Sequence, residues 1–156
     1  MVQTRDHVLI YDTGARFSQS FDAGSAVVAP YLRHQGIDEI DTLVIGHGDN
    51  DHIGGAESLH EEINIKKLVS SVPDKIHWME AKSCVQGQSW RWNQVDVRML
   101  HPDADEMIKD NNASCVLRIS NQAGSILLPG DIEKRAEREL LRNQRAYLAS
   151  DILVAP

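Results

Sequence analysis

Four side chains able to ligate a metal ion, His47, Asp49, Asp51 and His52, fall within six residues of one another. They lie in the stretch His47-Gly48-Asp49-Asn50-Asp51-His52-Ile53-Gly54-Gly55. Carboxylates packed this densely repel each other unless a cation or a proton intervenes. Imidazole nitrogens with carboxylate oxygens suit zinc, and the carboxylate-heavy mix also suits manganese or magnesium. A polar loop that is only solvated would gain nothing from this spacing, so the stretch reads as a cation-holding loop.

Such a loop needs rigid elements on both sides. The run Thr42-Leu43-Val44-Ile45 reads as a buried strand bounded by Gly46, and Gly54-Gly55 leads into a short helix over 56–63. Two other strand ends carry acids. Residues 7–11 form a strand entering Asp12-Thr13-Gly14, and residues 125–128 form one running into Pro129-Gly130-Asp131. The Asp-Thr-Gly triplet is similar to that of aspartic proteases, but they need a second such loop, which this chain lacks. Acids and imidazoles at the ends of successive strands are where α/β folds place chemistry.

Elsewhere, residues 16–22 read as a mobile loop, and Asp22 as the cap of a helix reaching about His34. Val27, Val28, Tyr31 and Leu32 form the inner face of that helix, Gly36 lies beyond its end, and Pro30 kinks or shortens it. A strand over 67–70 and a turn at Val72-Pro73-Asp74 follow, and residues 75–87 show no period. Trp90 and Trp92 alternate with polar residues, as do Val95, Val97 and Met99, so Asn93-Gln94 turns a hairpin whose aromatics pack on the core. A second hairpin joins 115–119 to 125–128, the best helix spans 132–143 with a solvated charged face, and a buried strand covers 151–154.

At 156 residues the chain is read as one domain of ordinary globular composition, 42% hydrophobic and 25% charged. It shows no membrane-length apolar run and no signal-peptide pattern. A net charge of −7 argues against a broad, non-specific DNA-binding surface, though not against a nucleic acid held mainly through bound metal. Cys84 and Cys115 are either one bridge in an oxidising compartment or two inert apolar side chains. Neither has the spacing of a structural zinc site, and neither a nucleophile elbow nor a phosphate-binding Gly-rich loop is present. Hydrolysis by metal-activated water is the reaction type that remains. Two ions at about 3.5–4 Å need a shared anionic ligand, for which Asp131 is the natural choice.

The pattern His47-x-Asp49-x-Asp51-His52 resembles the H-x-H-x-D-H signature of the metallo-β-lactamase superfamily, with Asp in place of the second His. That replacement combines with Tyr11-Asp12-Thr13-Gly14, Phe21-Asp22-Ala23-Gly24, Asn112-Ala113-Ser114-Cys115-Val116-Leu117 and Leu128-Pro129-Gly130-Asp131-Ile132-Glu133. Together they resemble the C-terminal domain of the ComEC-type competence DNA-uptake channel proteins, from Val8 onward. The resemblance implies an α/β fold, the αββα sandwich, and a hydrolase domain attached to an inner-membrane channel, on its periplasmic or external face. It implies two divalent ions, zinc or manganese, and single-stranded DNA as substrate, the non-transforming strand being degraded during natural competence. The implied partners are the channel and OB-fold portions of the same polypeptide and other competence proteins. Carried over by position, His47 and Asp49 hold one metal, Asp51 and His52 the second, Asp131 bridges them, and Asp12 orients ligands or water. Asp51 and Asp12 are the implied catalytic residues.

Two departures qualify the expectation. Superfamily members carry a later His before the bridging Asp, whereas this chain has none from 102 to 156, so Asp110, Asn111, Asn112 or Ser114 stands near that place. His101 is a strand-end alternative but reads as a surface residue, as do His34, His60 and His77. The family also continues past the final Ala-Pro into a His-His-Gly-Ser loop and has a strand upstream of Val2. The chain is therefore expected to be a fragment of a single domain, 1–156, incomplete at both ends, with weak metal binding and little or no turnover, so that the activity belongs to the full-length domain. The alternatives are a thioesterase- or lactonase-type hydrolase of the same superfamily and a docking module that keeps the scaffold. Substitution of Asp51 discriminates: lost cleavage marks the enzyme, unchanged DNA uptake the docking role.

Overall fold

Unbroken apolar runs mark the central strands of a parallel sheet, because such strands are covered on both faces. The structure is a computed structural model that describes residues 1–104 and 110–155. Pro156, expected just past the last strand, lies outside the described residues. The chain divides into two units, Met1–Gln3 with His7–Ser83 and Thr4–Asp6 with Cys84–Pro156.

In the first unit, β1 (Val2–Gln3) and β2 (Val8–Tyr11) precede a small hairpin of β3 (Arg16–Ser18) and β4 (Phe21–Asp22). Helix α1 (Ala29–His34), β5 (Glu39–Ile40) and β6 (Thr42–Ile45) follow, then α2 (Asn50–Ile53) and α3 (Ala56–Glu62). β7 (Asn64–Ile65), β8 (Leu68–Ser70) and β9 (Ala81–Ser83) complete it. The main sheet runs β1-β2-β6-β8-β9, parallel from β2 onward with β1 antiparallel at the edge. Ile10, Leu43 and Leu68 share one face and pack with Ala29 and Leu32 of α1 and Ala56 and Leu59 of α3. Leu9, Val44 and Val69 alternate with them and are equally buried.

Residues 16–22, expected as a loop, form the β3–β4 hairpin. Its strand β3 is exposed throughout, so no burial alternation betrays it. The helix after Asp22 also differs from expectation. Gly24–Val28 is a π-helical turn that passes directly into α1, with Pro30 in the first turn, where its missing N–H costs nothing. The wider π turn shifts the phase of the inner face. Ala29 and Leu32 are buried, whereas Val27 and Tyr31, expected inside, are 62% and 49% exposed.

Asp22 ties this turn to α3. Its carboxylate accepts the Ser25 N–H at 2.9 Å and the hydroxyls of Ser25 and Ser58. Burial raises the Asp22 carboxyl, but those hydrogen bonds from Ser58 and Ser25, with the Arg16 guanidinium nearby, outweigh it and hold the group below its ordinary value. The unfolded chain binds this proton more readily, so the stability Asp22 supplies is complete above the unfolded pKa and is lost as pH falls through the lowered folded one. Asp22→Ala orphans its donors and should cost about 1–3 kcal/mol at neutral pH, read from the urea midpoint. The deficit against wild type should shrink below about pH 4.

In the second unit, β10 (Ser89–Trp92) and β11 (Val95–His101) form the expected hairpin, with Asn93 and Gln94 both at positive φ, as a tight turn matched to strand twist requires. β12 (Val116–Ser120) and β13 (Ser125–Leu128) form the second, and Asn121 Oδ1 accepts the N–H groups of Ala123 and Gly124 at its turn. Helix α4 (Lys134–Asn143), the short α5 (Arg145–Leu148) and β14 (Ile152–Leu153) follow, and the sheet runs β10-β11-β12-β13-β14. Ala136 and Leu140 of α4 pack with Leu100, Val116, Leu127 and Ile132, leaving its charged face in solvent. The terminal strand is not buried as its apolar run suggests. β14 lies at the sheet edge beside β13, with Ile152 and Leu153 58% and 62% exposed. Cys84 and Cys115 form a disulfide.

Candidate metal centre

Adjacent parallel strands end on the same side of a sheet, so the loops after β2 and β6 emerge next to each other. That topology brings Asp12 to the His47–His52 loop. The Asp12 N–H donates to the Val44 carbonyl at 2.8 Å, and its Oδ1 accepts the Gly46 N–H at 2.6 Å. Its Oδ2 lies 2.7 Å from Nδ1 of His52. Asp12 holds this pose at φ +58°, a left-handed conformation uncommon for a residue with a side chain and found where surroundings over-determine it.

An ionised carboxylate only accepts, so Nδ1 of His52 donates to Asp12. This carboxylate–imidazole arrangement is the one that orients a metal-ligating His. Nε2 of His52 faces Oδ2 of Asp51 at 3.6 Å, and Nε2 of His47 faces Oδ2 of Asp49 at 3.4 Å. The two rings stand edge to face, their centroids 5.7 Å apart. The loop therefore presents two imidazole–carboxylate pairs, the His47 ring buried, the His52 ring half-buried and the acids Asp49 and Asp51 facing solvent.

Further clamps fix the loop. Thr13 donates both its N–H and its hydroxyl to the His52 carbonyl, each at 2.9 Å, and the Gly55 N–H donates to Gly14. Asn50 grips the hairpin through Arg16, its Oδ1 accepting the backbone N–H and its amide donating to the carbonyl, both at 3.0 Å. The Gly54-Gly55 pair is dictated by close approach: a Cβ on Gly54 would lie 2.3 Å from the Arg16 nitrogen, and one on Gly55 2.4 Å from the Gly24 nitrogen. Thr13 and Asn50 are positioning residues that the reading of the sequence left unassigned. Their signal was only the short polar side chain beside each motif acid.

The donor set fits a divalent ion. His47 is 5% exposed, and its Nε2 faces the Asp49 carboxylate, so one ion can meet an imidazole nitrogen and a carboxylate oxygen there. Two imidazoles and two carboxylates on one loop form the mixed nitrogen–oxygen set that zinc and manganese accept.

Asp131 belongs to the second unit, just past the end of β13, where its N–H donates to Ser114 Oγ at 3.2 Å. Of the residues considered for the missing His, Ser114 is buried and donates its hydroxyl to the Asn111 carbonyl at 2.7 Å. Asn112 is occupied as a cap of α4, its Oδ1 accepting the N–H groups of Glu133 and Ala136. His101 is corrected from a surface to a buried residue. It is 2% exposed and its Nε2 lies 2.6 Å from the Asn112 carbonyl, so that backbone oxygen satisfies a polar ring inside the sheet. His34 and His77 are exposed, while His60 is half-buried, stacked on Trp78 with ring centroids 5.0 Å apart.

Comparison with known proteins identifies the family and the fold. Residues 1–153 match the family model of the metallo-beta-lactamase superfamily. The chain is 30% identical to competence protein ComA of Neisseria gonorrhoeae, over 99% of the chain and 21% of that protein. It is 31% identical to ComE operon protein 3 of Bacillus subtilis, over 96% of the chain and 22% of that protein. It thus spans about a fifth of the length of these curated relatives. Among solved structures, metallo-β-lactamase SMB-1 superposes with a TM-score of 0.64 at 11% identity, over 98% of this chain and 70% of that one. That likeness shows the fold, the one expected from the signature loop. The chain belongs to the metallo-β-lactamase superfamily.

Proposed function

We propose that this chain is the metal-dependent phosphodiesterase domain of a DNA-uptake machine, hydrolysing the strand that does not enter the cell during natural competence. The observation that carries the reading is the loop with two imidazole–carboxylate pairs, its His52 ring fixed by Asp12 at Nδ1 with Nε2 turned toward the Asp51 carboxylate. Similarity to proteins named for competence supports the substrate class. The Cys84–Cys115 bridge supports an oxidising location such as the periplasm.

His47 with Asp49, and Asp51 with His52, would each hold an ion, and Asp131 would supply the shared carboxylate. Bound divalent ions supply Lewis acidity at phosphoryl oxygens and lower the pKa of water. The chain's own residues do the rest. Asp12 keeps the ring proton on Nδ1 of His52 and, through the Gly46 N–H, holds the start of the loop against the sheet. Thr13 fixes the His52 backbone. The exposed Asp49 and Asp51 carboxylates face solvent, where a phosphodiester can arrive. The remaining portions of the larger polypeptide, a channel and an OB-fold, would be its partners.

The test is release of fragments from labelled single-stranded DNA by the purified chain with manganese or zinc. Slow, divalent-ion-dependent cleavage lost in Asp51→Ala is expected. Cleavage of a thioester or lactone in place of DNA would contradict the substrate class, and no hydrolysis of any of the three, by this chain or by a longer stretch of the polypeptide, would contradict the enzyme.

A further inference from the structure

Beside the metal loop, wholly within the first unit, lies a cleft of about 510 Å³, a volume that suits a ligand of nucleotide size. It is lined by Arg16, Asn50, Glu57, Lys75, His77 and Trp78 together with the end of α2. Exposed acids on the loop repel a polyanion, yet this flank carries cations. Lys75 is held by the 3₁₀ turn Pro73–Lys75, and its Nζ lies 3.4 Å from the carbonyl of Gly48, the residue between His47 and Asp49. Arg16 is anchored through its backbone to Asn50, and its guanidinium sits 3.5 Å from Glu57. Trp78 is half-buried, packed against the sheet–helix core and stacked on His60, so its ring is a preorganised aromatic surface.

Cations that follow a backbone, set beside an anchored aromatic ring, are the pattern of single-strand nucleic-acid binding. The geometry points to this cleft as a subsite for single-stranded DNA next to the scissile phosphate, with Arg16 and Lys75 taking backbone phosphates and Trp78 taking a base. Glu57 orients Arg16 and competes with the incoming phosphate. This assignment rests on the phosphodiesterase reading for the scissile bond, but DNA binding in the cleft is measurable without it.

Binding of a fluorescent oligothymidylate is followed by anisotropy in EDTA, where no metal-dependent cleavage occurs. The double variant Arg16→Ala/Lys75→Ala, both exposed positions, should bind at least about tenfold more weakly. It should also flatten the plot of log affinity against log salt by about 1.4, roughly 0.7 for each phosphate left without its cation. Glu57→Gln should bind a few times more tightly. Quenching of tryptophan fluorescence by the oligonucleotide should be lost in Trp78→Phe, which keeps an aromatic ring in the core. Unchanged affinity and salt slope in the double variant would overturn the subsite, even if DNA cleavage by the wild type upheld the phosphodiesterase. Absence of binding by the wild type would overturn it as well. The expected binding changes without any hydrolysis under manganese or zinc, by this chain or by a longer stretch of the polypeptide, would uphold the subsite and refute the phosphodiesterase.

Discussion

Asp12→Asn should weaken divalent-metal binding about 10- to 100-fold while leaving the fold close to wild type. The substitution is chosen for its backbone. Asp12 sits at φ +58°, a conformation that Asn tolerates as well as any side chain, so strain is not added. Asn also keeps an oxygen for the Gly46 N–H. It cannot supply a second acceptor to Nδ1 of His52, and its amide group at that place would favour the tautomer with the proton on Nε2, the nitrogen a metal needs. Competition between the protein and a chromophoric chelator for zinc or manganese reads the affinity, and a thermal melt of the metal-free chain reads the fold. Equal affinity in the variant would show that Asp12 does not orient a ligand. Asp12→Ala should lose as much affinity and some stability too, because it orphans the Gly46 N–H and adds backbone strain of about 1–3 kcal/mol.

Reducing the Cys84–Cys115 bridge should cost the second unit about 4 kcal/mol. The crosslink closes a loop across a sequence separation of 31 residues, and the loss of unfolded-chain entropy for a loop of that size is of this order. For a chain of this length the corresponding fall in Tm is about 10 °C. A melt with and without dithiothreitol measures it, paired with a thiol assay of the denatured chain that should find no free thiol before reduction. Identical melts would show that the bridge does not support the fold. The effect reaches Asp131 as well, because Cys115 follows Ser114, whose hydroxyl accepts the Asp131 N–H.

What the sequence reveals and what it hides divide along physical lines. β6 was legible because a covered parallel strand needs an unbroken apolar run, and Thr42–Ile45 is buried throughout. The Asn93-Gln94 hairpin was legible from alternation on both sides. β9 was not: Ala81–Ser83 has no apolar period and is a strand only through its pairing with β8. The inner face of the first helix was misplaced at Val27 and Tyr31 because a π turn cannot be read from a 3.6-residue period. The apolar Ile152 and Leu153 suggested burial, which an edge strand does not provide. His101 looked like a surface residue because its partner, the Asn112 carbonyl, is a backbone atom with no signature in sequence.

Within the candidate site, the residue types able to ligate a metal and their spacing are legible in His47-x-Asp49-x-Asp51-His52, and the place of Asp12 beside His52 follows from its strand end. The clamps from Thr13 and Asn50 are not, because they depend on two loops meeting across adjacent strands.

The proposed function requires the imidazoles of His47 and His52 each to ligate a divalent cation, His47 beside Asp49 and His52 beside Asp51. Pulsed electron paramagnetic resonance of the manganese-loaded chain tests it directly, since nitrogen bound to the ion leaves its own modulation. The account predicts nitrogen coupling in the wild type, reduced in His47→Ala and in His52→Ala alike. Manganese bound with oxygen couplings alone, or couplings indifferent to both substitutions, would contradict it.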